Sequence, residues 1–280
     1  MKKFIVLAAL SALIIPLACK REDNPEAKTV LPAPAKAQFA KKLVLAETDK
    51  TDIASIEFTE SGYYILRTQK TKSSTHDYSS DTYTCSGDLY TLKGFGTIEH
   101  KGNQLIITPT GGSPVTVTAT MGDKLPTSEF YTTVCRSWKV VKTDVNMKVN
   151  GSDIGVRKDG CDLHEIAVEL NNHGAKLALT FDGFVVNRIT FTASKTFEVN
   201  FANKEHFVGP YTLTESGVFS YTLDHLGNYF FNASATGTVS VVDPYDLGRT
   251  GYIWIKLNTK INSGGVPHEG HVILTLAPLD

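Results

Sequence analysis

The chain has almost no excess charge. Its 28 lysines and arginines face 29 acids, for a formal net charge of −1. It carries no basic stripe, so it lacks the electrostatic footprint of a nucleic-acid binder. There are only four cysteines, none of them in a Cys-x-x-Cys pair. That argues against dithiol redox catalysis and a structural zinc site. Gly-x-Ser-x-Gly elbows, phosphate loops and dinucleotide fingerprints are all missing. Beyond residue 15 no apolar run approaches the roughly 20 residues that a membrane-spanning helix needs.

What is present starts at the N-terminus. Lys2 and Lys3 precede an apolar run from Phe4 to Ile15, followed by Pro16-Leu17-Ala18-Cys19 and the charged block Lys20-Arg21-Glu22-Asp23. Basic start, short apolar stretch and small residue before a cut make up the layout of a secretory signal, residues 1–18. With a cysteine directly after Ala18, it resembles a bacterial lipoprotein signal. The resemblance implies that Cys19 becomes the acylated N-terminus, anchored through lipid chains such as palmitate. The charged block resembles the short signal that follows this cysteine in Bacteroidetes lipoproteins. That implies a lipid-anchored protein of the outer membrane, displayed at the cell surface. Loss of residues 1–18 removes two lysines and leaves a net charge of −3.

Residues 19–38 read as a tether, with Asn24-Pro25 and Leu31-Pro32-Ala33-Pro34 stiffening an apolar-poor stretch. The fold class expected for the remainder is all-β, mainly antiparallel, in two tandem barrel-like or sheet domains. An N-terminal β domain spans 39–122, a linker 123–132, and a C-terminal β domain 133–280. Phe39 to Leu45 fits either a helical turn or a first strand. Ile56 and Phe58, then Glu60-Ser61-Gly62, then Tyr63 to Leu66 form a hairpin pattern. Residues 69–82 are polar enough to predict a long exposed loop. Leu105 to Ile107 follows the turn Lys101-Gly102-Asn103, and Val115, Val117, Ala119 and Met121 alternate with threonines, predicting a strand with one buried face. One helix is expected over 162–173, with Asp162 as cap, Glu165 three residues on, and Leu163, Ile166, Ala167 and Leu170 on one face. Later alternations at Ile189/Phe191, Phe197/Phe201, Phe219/Leu223, Ile253/Leu257 and Val272/Leu276 predict further strands.

The two β regions read as diverged copies. Ile56–Ser61 aligns with Ile189–Ser194, Gly87–Leu92 with Gly209–Leu213, and Gly102-Asn103 with Gly227-Asn228. With Cys19 acylated, three cysteines remain. A disulfide between Cys135 and Cys161, both in the second unit, is the expected pair, with Cys85 left as a free thiol. Such a bridge would contribute about 3 kcal/mol on the chain-entropy model.

Catalytic residues are not discernible. His268-Glu269-Gly270-His271 has the wrong spacing for a zinc helix and reads as a loop before the last strand, so neither a metal nor a cofactor is expected. Gly94-Phe95-Gly96 reads as a bulge. The remaining lead is aromatic: Tyr78, Tyr83 and Tyr90 in the first unit, Tyr245 and Tyr252 in the second, which could stack on a surface glycan or anchor a peptide or protein partner. Trp138 on the opening strand of the second unit resembles the first-strand tryptophan of lipocalins, which implies a barrel able to hold a small apolar ligand. The leading expectation is a non-catalytic binding or assembly protein held to the membrane by lipid. Ligand capture in a barrel is the alternative, and a hydrolase on exposed loops a third.

Overall fold

The structure is a computed structural model that describes residues 39–46, 50–69, 76–177, 182–223, 225–226, 233–241, 251–263 and 266–279. Eight strands make the first unit: β1 (Lys41–Leu45), β2 (Ile53–Phe58), β3 (Tyr63–Gln69), β4 (His76–Ser86), β5 (Leu89–Leu92), β6 (Gly96–Lys101), β7 (Gln104–Pro109) and β8 (Val115–Met121). Each pairs antiparallel with its sequence neighbour, and β8 returns to β1 to close the barrel. An eight-stranded barrel has an interior just wide enough for side chains. Here Leu43, Ile56, Phe58, Leu66, Tyr83, Tyr90, Leu92, Ile98, Leu105 and Ile107 fill it.

The second unit holds α1 (Glu129–Val134), β9 (Ser137–Val149), β10 (Ser152–Asp159), α2 (Leu163–Asn172), β11 (Val186–Phe191), β12 (Thr196–Phe201), β13 (His206–Leu213), β14 (Val218–Leu223), β15 (His225–Leu226), β16 (Ala233–Ser240), β17 (Ile253–Ser263) and β18 (Val266–Pro278). The sheet runs β9-β11-β12-β13-β14-β16-β17-β18, and pairing of β18 with β9 joins its ends into a second eight-stranded ring. Strand β10 folds back along β9 outside that ring. The all-β, antiparallel, two-barrel expectation is what the structure shows.

Local sequence explains the elements. Apolar side chains of β2, β8, β11 and β12 alternate because neighbouring residues on a strand point to opposite faces. The Asp162 carboxylate accepts from the backbone N–H groups of His164 and Glu165, starting α2 where the sequence placed it. Helix α1 went unpredicted. Ser128 caps it by accepting from the Tyr131 N–H, within the span expected to be linker. It covers one end of the second barrel: the Tyr131 hydroxyl donates to the Leu213 carbonyl at 3.1 Å, and the Trp138 indole donates to the Val134 carbonyl at 2.9 Å. Neither helix is long and apolar enough to cross a membrane.

Residues 76–82 are strand β4, not loop. Gly94 lies in the β5–β6 turn rather than in a bulge. His268 to His271 lies within β18, where a Cβ on Gly270 would collide with the Asn146 carbonyl of β9. That glycine belongs to close strand packing.

The two barrels repeat one detail atom by atom. After β2, the Thr59 N–H donates to the Tyr63 carbonyl at 2.8 Å, the Gly62 N–H to the Thr59 carbonyl at 3.2 Å, and the Tyr63 N–H to Thr59 Oγ1 at 3.0 Å. After β11, Thr192, Lys195 and Thr196 make the same three bonds at 3.0, 3.1 and 3.0 Å. Lys195 and Gly62 both take positive φ, 63° and 81°. The Tyr83 hydroxyl then donates to the Thr59 carbonyl at 3.2 Å, and the Tyr211 hydroxyl to the Thr192 carbonyl at 2.7 Å. Phe58, Tyr83 and Tyr90 pack as a ring triad in one barrel, and Phe191, Tyr211 and Phe219 in the other. The first aligned pair, Ile56–Ser61 with Ile189–Ser194, is therefore structurally equivalent. The second is not. Gly209–Leu213 belongs to the fourth strand of its barrel, whose counterpart is β4, whereas Leu89–Leu92 is the fifth strand. Gly227-Asn228 lies outside the described residues.

Candidate functional site

On β2 the residues that alternate with the core are Ser55 and Glu57, which the strand pattern assigns to water. Both are buried, Glu57 at only 2% exposure. On β11 and β12 the outward positions Arg188, Thr190, Thr196 and Glu198 are buried too. The cause is tertiary: the outer face of β1–β4 packs on the outer face of β11–β13. The equivalent hairpins of the two copies meet there, sealing a polar seam.

Several bonds cross it. Thr196 Oγ1 donates to Glu57 Oε2 at 2.6 Å, and Lys42 Nζ donates to Thr196 Oγ1 at 3.0 Å. Lys42 Nζ also lies 3.6 Å from Glu57 Oε2. The Ala193 N–H donates to Glu60 Oε1 at 2.9 Å, and the Ser137 N–H to Ser61 Oγ at 2.7 Å. The Arg188 guanidinium donates to Ser80 Oγ at 2.8 Å and lies 3.7 Å from the Tyr63 ring centroid. Behind it, Arg188 pairs with Glu198 at 2.8 Å, and His206 Nδ1 lies 3.1 Å from the other Glu198 oxygen. Burial alone would raise the Glu198 carboxyl, but Arg188 and then His206 hold it down at about 2.

Glu60 goes the other way. Burial raises its carboxyl to about 7, the Ala193 N–H opposes this, and nearby Glu57 adds to the rise. Glu60 Oε2 has no hydrogen-bond partner among the described residues. An acid whose folded value exceeds its unfolded one favours the fold below the unfolded value. That contribution fades as pH rises from about 4.5 to about 7. Glu60→Gln is therefore expected to be more stable than the parent above pH 7, by on the order of 1–3 kcal/mol, and to gain little near pH 5. Thermal melts of both proteins across that range check it. Equal slopes of stability against pH would contradict the assignment.

The seam is not fully packed. A cleft of about 190 Å³ opens between the barrels. Lys42, Ser55, Glu57 and Arg67 give it a polar side, and Ile65, Val208 and Pro210 an apolar one. Thr196, Tyr78 and Gly209 complete the wall. Glu57 Oε1 is buried and unpartnered among the described residues.

The residues singled out from sequence scatter. Tyr78 is half-buried in the cleft wall. Tyr83 and Tyr90 are not a surface cluster: at 1% and 3% exposure they fill the first barrel. They point inward because β4 and β5 pair with Tyr83 opposite Leu92. Tyr252 is half-buried with its ring 6.3 Å from that of Trp254. Tyr245 and Cys19 lie outside the described residues. The expected Cys135–Cys161 bridge is not formed, and both thiols are free. They serve different neighbours. Cys135 Sγ sits 3.5 Å from the Tyr211 hydroxyl, and Cys161 hydrogen-bonds Thr143, with burial raising its thiol to about 11. Cys85 is also a free thiol. Among the described residues no group of three or more His, Cys, Asp or Glu side chains could hold a metal ion. Sequence reasoning missed Glu57, Glu60, Arg188, Thr196 and Glu198. The one available signal was charge on strands whose other face is wholly apolar, which ordinarily marks a solvated face.

No family model matches the chain, and no curated protein is similar to it in sequence.

Proposed function

We propose that this chain is a lipid-anchored protein of the bacterial outer membrane, displayed at the cell surface, with a non-catalytic binding or assembly role. The anchor is Cys19 and the spacer is the proline-stiffened stretch that follows it. The observation that carries the choice among roles is the filling of both barrels. Phe191, Phe197, Tyr211 and Phe219 are in mutual ring contact in the second barrel. Phe58, Tyr83 and Tyr90 do the same in the first. A lipocalin-like carrier needs an open interior for an apolar ligand. These positions are occupied by the protein's own rings, so recognition is assigned to the outer surface and the seam. Glu57 and Glu60 of the first barrel engage Thr196 and Ala193 of the second, and Arg188, paired with Glu198 in its own barrel, reaches Ser80 of the first, contacts that suit the seam to holding the two barrels together.

Cys19→Ala is expected to move the protein from the membrane fraction to the soluble fraction. Two acyl chains give stable anchoring, and no other segment is apolar enough to replace them. Fractionation with a salt wash is the test. A variant that still pellets with membranes would refute the anchor.

A further inference from the structure

We propose that the outer edge of β10 is a docking surface for a second copy of this chain, the two β10 strands pairing antiparallel about a two-fold axis at Gly155. This rests on the assembly role proposed above and names its partner.

The argument starts from the ladder. Strand β10 pairs with β9 alone, without a bulge, from Ser152 opposite Val149 to Asp159 opposite Lys142. The Gly160 N–H donates to the Val141 carbonyl at 3.0 Å, which continues that register by one pair. Bonded pairs alternate along an antiparallel ladder. The even-numbered residues of β10 therefore bond β9, and the N–H and C=O groups of Asp153, Gly155 and Arg157 point away from it. Among the described residues, the outward groups of Asp153 and Gly155 have no hydrogen-bond partner. All three residues are exposed, whereas Val156 between them is buried in the second core. A Cβ on Gly155 would meet only Asn146 Oδ1, at 3.6 Å. Such an edge is a template for another strand, and β10 has neither proline nor bulge to blunt it.

Charge selects the occupant. A two-fold axis at Gly155 sets Asp153 opposite the second copy's Arg157, and Arg157 opposite its Asp153. Asp153 is exposed and makes no ion pair among the described residues. Arg157 Nε donates to Asp144 Oδ1 at 2.6 Å, yet 68% of the Arg157 side chain is exposed, and one guanidinium can serve two carboxylates. Across the joined sheets the outward row then runs Asp144, Arg157, the second copy's Asp153 and Lys148, and its Glu269, alternating in sign. Moving the axis to Asp153 or to Arg157 would set like charges against each other, and moving it to Val156 would oppose Asp153 to Asp159. The charges thus favour one register, in which Gly155 meets Gly155 with no side chain between them.

Sedimentation equilibrium of the full chain in density-matched detergent tests this. One strand pairing is a small interface, so a dimer dissociating at about 1–100 µM is expected. Gly155→Pro removes an N–H that β9 does not use, and should abolish the dimer with the thermal midpoint held. Asp153→Arg and Arg157→Asp should each weaken self-association by about tenfold or more, because both cross-strand pairs become repulsive. Mixed together, those two variants should associate as tightly as the parent, since each pair is again opposite in sign. If Arg157→Asp fails to fold, Gly155→Pro and Asp153→Arg decide. A chain that stays monomeric to about 1 mM would leave the edge to a strand of another protein and overturn the proposal. A dimer unchanged by Gly155→Pro or Asp153→Arg, or a mixture no tighter than its components, would overturn it too. None of those outcomes touches membrane release by Cys19→Ala, so the partner and the anchored-protein reading fail separately.

Discussion

Phe191→Ala will destabilise the protein by about 3–5 kcal/mol, the range for emptying a buried aromatic site. Phe191 is fully buried, and its ring lies 5.1 to 5.5 Å from the rings of Phe197, Tyr211 and Phe219. Three aromatic partners cannot all move into the space, so little of the cavity will close. Phe58 holds the equivalent place in the first barrel, stacked on Tyr90 at 4.0 Å with Tyr83 edge-on at 5.0 Å. Phe58→Ala should therefore cost a similar amount. Urea unfolding of each variant provides the measurement. A loss under about 1 kcal/mol at either position would mean that the ring is not a core residue. Unequal losses would show that the two triads, though alike in geometry, differ in how far their neighbours can relax.

The second large effect lies in the seam. Glu198→Ala leaves the Arg188 guanidinium buried without its carboxylate, with only 6% of the Arg188 side chain exposed. Removing one member of such a pair costs about 3–5 kcal/mol, because the survivor remains desolvated and uncompensated. The double variant Arg188→Met, Glu198→Leu should recover most of that loss, since well-packed apolar replacements of buried pairs are often neutral. Recovery can be incomplete by the value of Arg188's contacts with Ser80 and Tyr63 across the seam. A double variant no better than the single would show that those cross-seam contacts, not the charge pair, dominate. Acid titration gives an independent check. Arg188 and His206 hold the Glu198 carboxyl at about 2, below its ordinary value of 4.5. Its stabilising contribution is complete above the unfolded value and is lost as pH falls toward 2. The parent should weaken over that acid range, and the double variant should weaken less.

Much of the fold was legible because it is local. Alternation at Ile56/Phe58, Val117/Ala119 and Phe197/Phe201 reports which face of a strand is apolar, and that face became a barrel interior. Asp162 and Glu165 start α2 through bonds confined to one turn. Glu60-Ser61-Gly62 makes its turn because Gly62 takes a positive φ, and the matching motif at 192–195 carried the duplication. Strand β4 was missed for the opposite reason. Its residues Ser79 to Thr82 are polar on both faces, and their strand state depends on pairing with β3 and on cover from the second barrel. The aromatic lead failed similarly. Composition says that Tyr83 and Tyr90 are amphipathic, but only strand register says that they point inward.

The sequence by itself determined that the chain would form two antiparallel β units with one capped helix, because period, turn chemistry and capping act over a few residues. Only the tertiary structure decided that Glu57, Glu60, Arg188 and Glu198 are buried. Glu57, Arg188 and Glu198 stand where a strand's wet face should be and Glu60 in a hairpin turn, and packing against a sheet more than a hundred positions away along the chain removes the water. Burial is a property of what packs against a surface. No pattern along one strand encodes its cover, so the seam, its opposed carboxyl shifts and its cleft emerge only when the two barrels meet.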